Sequence, residues 1–173
     1  MTMIFVSRLP AWCLLGCLVA CATPAPLPAP KPTSSITPEQ RVAAVRAAEG
    51  ADDKEFAVRP LRDPMVEDLR QTAARMESQK QYADAAKALD QALAMTPDDP
   101  AVLQERAEVA LLEGDFDSAE RLARRAYALG AKVGPLCRRH WAAIEQALQA
   151  LHANTDEARK QIAACKVATP ERF

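Results

Sequence analysis

Apolar residues are distributed along this chain in three ways. Residues 9–20, LPAWCLLGCLVA, are apolar without a break. Residues 22–36, ATPAPLPAPKPTSSI, hold five prolines and show no helical period. From residue 64 onward, apolar positions recur at helical spacing in blocks separated by turn and cap residues. These blocks predict helices over 64–79, 82–95, 100–113 and 116–129. Asp63-Pro64 and Asp99-Pro100 each pair an N-cap residue with a proline suited to the first helical position. Gly114 and Gly130 stand where a left-handed residue stops a helix. Leu136 to Leu151 reads as a further helix, with Trp141, Ile144, Leu148 and Leu151 on its apolar stripe. Asn154 to Glu157 has the pattern of a capping box that opens a last helix, running to about Cys165. Upstream, Thr37-Pro38-Glu39-Gln40 is a second capping box. It opens a short helix to about Ala48 with Val42 and Val45 apolar, expected to cap the N-terminal end of the helical stack. Residues 50–63 have no helical period and read as an extended strap or a mobile segment.

Shifting the chain by 34 residues aligns Leu69 with Leu103, Ala73 with Ala107, Tyr82 with Phe116, Ala85 with Ala119 and Ala92 with Ala126. This pattern resembles the tetratricopeptide repeat (TPR), a helix-turn-helix unit in which small residues mark the helix crossing and an aromatic plugs the turn. Gly114-Asp115-Phe116 matches the family turn closely, Lys80-Gln81-Tyr82 is a weaker version, and Pro97 takes the place of the closing proline. The sequence also departs from the family. Leu69 and Leu103 replace the early Trp, Thr72 and Arg106 the following Leu, and Met76 and Ala110 the Tyr. The second unit ends Leu129-Gly130-Ala131 without a proline. The resemblance implies an all-α fold, a short TPR-like helical-hairpin solenoid over 64–168. Its units are 66–99, 100–133 and a degenerate 134–168, in which the register slips by about five residues, as a terminal capping unit allows. It also implies a binding groove lined by the first helix of each unit, at Arg70, Gln71, Ala74, Gln104, Glu105 and Glu108. That lining is mixed or acidic, unlike the Lys and Asn set of a chaperone-type clamp.

The N-terminal run is about the length of a signal-peptide apolar region, and follows one positive charge, Arg8. Ser7 and Arg8 make the segment a poor membrane span. Leu18-Val19-Ala20-Cys21 resembles the lipobox of bacterial lipoproteins, which implies a signal peptide over 1–20 and a lipidated Cys21. Leu14-Leu15-Gly16-Cys17 is a second match with a shorter apolar run before it. The proline-rich segment 21–36 then reads as a semi-rigid tether, reaching roughly 50 Å at about 3.1 Å per residue. Ala22, in place of Asp, favours the outer membrane by resemblance to lipoproteins of diderm bacteria, with the domain facing the periplasm.

Composition fits this picture. Apolar residues make up 49% and aromatics 5%, which suits helices packed through small side chains. A net charge of -1 gives no basic footprint for nucleic acid. No cofactor is expected, and the chain is not expected to be an enzyme. Its only histidines are His140 and His152, and its five glycines form no phosphate loop. Asp98-Asp99 reads as a turn and cap, and Glu67-Asp68 as a first-turn pair suited to the helix dipole.

Of five cysteines, 13, 17, 21, 137 and 165, two remain in the folded part. Cys137, His140, His152 and Cys165 invite a zinc reading, but His152 lies about 22 Å along the helix from Cys137 at 1.5 Å per residue. No metal is expected. An oxidising compartment favours a Cys137–Cys165 disulfide instead. Counting from a turn near Ala153 leaves the two about 6 Å out of register, which closes if the last helix frays or the turn falls earlier. Arg121, Arg124, Arg125, Lys132, Arg138 and Arg139 form one dense basic region. A solvated face explains most of it, but Arg138 and Arg139 sit in a first helical turn, where they are candidates to hold an anion or an acidic partner. Two functions follow. The first is a membrane-anchored protein-interaction adaptor or assembly factor that binds other cell-envelope proteins through its TPR-like surface. The second is an envelope lipoprotein that recognises an acidic glycan or lipid through Arg124, Arg125, Arg138 and Arg139. Oligomeric state is not legible.

Overall fold

The computed structural model describes residues 36–50 and 63–166. The signal segment, Cys21, the tether up to residue 35 and residues 51–62 of the strap lie outside the described residues. Among the described residues there are seven helices and no strand: α1 (Pro38–Ala47), α2 (Pro64–Ser78), α3 (Tyr82–Met95), α4 (Pro100–Glu113), α5 (Phe116–Leu129), α6 (Pro135–Ala150) and α7 (Asp156–Ala164). Helices α2 to α7 stack as three successive hairpins, each packing on the next.

Local chemistry sets most of the helix ends. The Asp63 carboxylate accepts from Met65 N at 2.8 Å, and that of Asp99 accepts from Ala101 N at 2.8 Å. Each satisfies a backbone donor that the first helical turn leaves free. Thr37 and Gln40 make the reciprocal capping box of α1. Gly114 ends α4 at φ 79°, in the left-handed region. Its counterpart 34 residues earlier is Lys80, which takes φ 60° without being glycine.

Three local expectations are corrected. Gly130 is extended, not left-handed, at φ -89° and ψ -176°. Glycine is required there by packing, because a Cβ would lie 2.9 Å from the Ala126 carbonyl oxygen and 3.2 Å from Pro100. The capping box expected at the start of α7 does not form. Asn154 Oδ1 accepts from Asp156 N at 2.7 Å as a turn, and Thr155 takes the cap position without a side-chain bond. Helix α1 does not cap the end of the stack. It lies across α4 and α6.

Two apolar clusters form the core. Val66, Ala73, Ala85, Leu89, Ala92, Val102 and Val109 join α2 and α3 to α4. Ala107, Leu111, Ala119, Ala123, Trp141 and Ile144 join α4 through α6, and this cluster also takes Val42 and Val45 from α1. Tyr82 packs against both. Ala85, Ala107 and Ala119 are fully buried and Ala73 nearly so, as small residues at close helix crossings must be. The last hairpin is stapled by a Cys137–Cys165 disulfide with Cα atoms 5.7 Å apart. Helix α7 ends at Ala164, so Cys165 sits at the helix end, where its carbonyl also accepts from Gly134 N at 2.7 Å.

Candidate functional site

Of the first helices of the three hairpins, α4 and α6 pack against α1, and α2 reaches it through the Arg46–Glu77 pair. Between α1, α2, α4 and α6 lies an open cleft of about 420 Å³. Its apolar lining is Ala73, Ala74, Leu89 and Val109, and its polar lining includes Arg46, Glu67, Arg70, Gln71, Glu77, Glu105 and Arg139. On one side, Arg70 donates to both carboxylate oxygens of Glu105, and to Glu67 at 2.6 Å. On the other side, Arg46 of α1 bridges Glu77 at 2.8 Å and Glu108 at 2.8 Å. The cleft is therefore lined by interlocked charges of both signs around a small apolar patch.

Of the expected groove residues, Arg70, Gln71, Ala74 and Glu105 line this cleft. Gln104 and Glu108 do not. Both are buried, with Glu108 at 0% exposure. The Glu108 carboxylate receives four donors. Oε1 accepts from Gln104 Nε2 at 2.9 Å and Arg139 Nε at 2.5 Å, and Oε2 accepts from Arg139 Nη2 and Arg46 Nε, each at 2.8 Å. Burial alone pushes this carboxyl up. The hydrogen bonds and charge of Arg139, with the charge of Arg46, outweigh that and hold it below the usual carboxylate value. Gln104 has its Nε2 committed to Glu108, so its Oε1 accepts from His140 Nδ1 at 2.7 Å. That fixes the Nδ1–H tautomer, and leaves Nε2 as a buried atom without a hydrogen-bond partner, facing Gly130. Burial, and then the positive charge of Arg139, lower the His140 pKa to about 4.

The expected anion site is occupied from within. Arg138 donates to the Ala48 carbonyl at 3.1 Å and the Glu49 carbonyl at 2.5 Å, at the cap residue of α1 and the residue after it. A cation there also complements the negative end of the α1 dipole. Arg139 is committed to Glu108 and lies 3.5 Å from Glu49. Arg124 pairs with Glu120 and lies over the Trp141 ring, while Arg125 pairs with Asp98. The basic residues thus form internal pairs and caps, not one cationic surface. The sequence reading missed the role of α1, with Arg46, and of Glu77. One signal was present: α4, PAVLQERAEVALLE, is apolar on nearly every face, the pattern of a helix covered on all sides.

This architecture is that of a TPR-like helical repeat. Residues 77–132, from the end of α2 to just past α5, match the family model for the tetratricopeptide repeat. Among solved structures, the globular C-terminal domain of P. aeruginosa LpoP is similar, with 27% sequence identity and a TM-score of 0.55. The likeness covers 61% of this chain and 98% of that one. The comparison with curated proteins returns no match.

Proposed function

We propose that this protein is a lipid-anchored adaptor of the cell envelope that binds partner proteins through the first-helix face of its hairpins, without catalysis. The observation that carries this reading is the cleft beside α1, walled by the Arg70–Glu105 and Arg46–Glu77 pairs on the face where TPR-type folds take ligands. The Leu18-Val19-Ala20-Cys21 motif and the proline-rich tether support the anchor, and Ala22 supports the outer membrane with the domain facing the periplasm. The likeness to a C-terminal globular domain supports a folded module carried behind an N-terminal segment. The paired state of Arg124, Arg125, Arg138 and Arg139 speaks against glycan or lipid recognition through those residues.

Two measurements test the reading. Intact mass of the membrane-extracted protein should show a mature chain starting at Cys21 with a diacylglycerol modification. An unmodified N-terminus elsewhere removes the anchor. A photo-crosslinker at Gln71, in the cleft, should trap a defined envelope protein in living cells, and Arg70→Glu should abolish the adduct. Equal trapping from Ala128 on α5 would place recognition elsewhere.

A further inference from the structure

Helix α1 occupies the first-helix face much as a bound ligand would. Only Val42 and Val45 are buried in it, while Pro38, Glu39, Gln40, Ala43, Ala44 and Arg46 remain exposed. At ten residues it is too short to hold a helix in isolation, so its helicity depends on docking. Its polar contacts are directional. Arg46, at i+1 from Val45, enters the Glu77 and Glu108 carboxylates. The C-terminal carbonyls meet Arg138, and the Glu49 side chain meets Arg139.

The covered surface is therefore a complete receptor. It has an apolar seat for two β-branched residues one turn apart, an acidic pair for an arginine, and two arginines for a helix C-terminus and a carboxylate. Departure of α1 strands no buried charge, because Glu108 keeps Arg139 and gains water on the face that α1 uncovers. Arg46 is half-exposed and only its Glu108 partner is buried, so the pair adds little net stability and acts mainly by discriminating between occupants.

We propose that α1 is an exchangeable occupant of this face, and that a partner protein inserts in its place an amphipathic helix with the same signature: two β-branched residues at i and i+3, an arginine at i+4 and an acidic residue at i+7. This rests on the reading of the first-helix face as the partner-binding surface, and adds that the chain regulates the face by covering it. The α1 sequence Val42-Ala43-Ala44-Val45-Arg46-Ala47-Ala48-Glu49 is the template.

The probe is a fluorescent peptide of residues 36–50, added to the full chain. Val45→Asp in the chain disables its own helix and leaves the receptor intact. The peptide should bind this variant at least about tenfold more tightly than the parent, because the resident helix leaves only a minor fraction of the parent open. The same peptide carrying Arg46→Glu should lose binding. A Val45→Asp chain that keeps its cooperative melt but binds the peptide no better than the parent overturns the proposal. So does equal binding of the Arg46→Glu peptide.

Hydrogen exchange on the unmodified chain decides the matter should Val45→Asp fail to fold. The α1 amides should exchange at least about tenfold faster than those of α4, through an opening that leaves the hairpins folded. Protection of α1 equal to that of α4 makes it an integral part of the core and overturns the proposal. Peptide binding needs no partner protein. Its failure alongside successful crosslinking at Gln71 would sink the exchange and spare the adaptor reading, and the reverse outcome would do the opposite.

Discussion

His140 offers the sharpest test of the buried network. In the folded chain its imidazole is fully buried, donates from Nδ1 to Gln104, and presents Nε2 to Gly130 without an acceptor. A second proton would place an N–H where nothing accepts it, beside the Arg139 cation. The pKa accordingly falls from 6.5 to about 4. The unfolded chain takes up its proton near 6.5. Between those values the unfolded state binds more protons, so stability falls as the pH drops through this window, and the loss is complete below the folded pKa. A separation of about 2.5 pK units is worth about 3 kcal/mol in full, most of it reached by pH 4.5. The perturbation is His140→Gln, which keeps an amide donor for Gln104 but does not titrate. Urea unfolding of both chains from pH 7.5 to 4.5 is the assay. At pH 7.5 the variant should be less stable by about 1–2 kcal/mol, from the altered hydrogen bond and fit. That gap should close or invert on acidification. Carboxylates such as Glu108 also lose stability in acid, but equally in both chains, so the difference reports His140. Stability curves that run parallel across the window would refute the assignment of a buried neutral imidazole.

Three further outcomes follow from the packing. Ala119→Leu should overpack the crossing of α4 and α5 and lower stability by about 1–3 kcal/mol, and an unchanged melting temperature would show that this crossing is not close. Reduction of the Cys137–Cys165 bond, which closes a loop of 28 residues, should cost about 3–4 kcal/mol on the chain-entropy estimate. Non-reducing peptide mapping that finds two free thiols in periplasm-derived protein would remove the staple. Lys80→Gly relieves a left-handed non-glycine residue and should stabilise the first hairpin by up to about 1 kcal/mol, once the greater unfolded-state freedom of glycine is subtracted. A loss of stability would mean that the exposed Lys80–Glu39 pair outweighs the backbone strain.

The sequence by itself determined the hairpins. The 34-residue spacing placed Ala85 and Ala119 at crossings, and Asp63, Pro64, Asp99, Pro100 and Gly114 bounded helices to within a residue. Those features are decided inside one helical turn, by caps, proline geometry and apolar period. They hold wherever the segment ends up in space. The end of the chain was less legible for the same reason. The Asn154–Glu157 pattern satisfies the residue types of a capping box, but the chain there turns one residue too late for that box to close. The groove was only half readable. A repeat register names the positions that face a ligand, at Arg70, Gln71, Gln104, Glu105 and Glu108, but not what already lies over them. Tertiary structure decided that α6 packs on α4 over Gln104, and that α1 and α6 together close over Glu108, while Arg70, Gln71 and Glu105 stay along the cleft. It decided too that Arg138 and Arg139 serve a helix end and a buried carboxylate of their own chain, and that Gly130 is glycine for want of space beside Ala126 and Pro100. Each of these depends on a contact between residues from 30 to 90 positions apart. No local period or cap encodes such a pairing, because its free energy exists only once both partners have left water together.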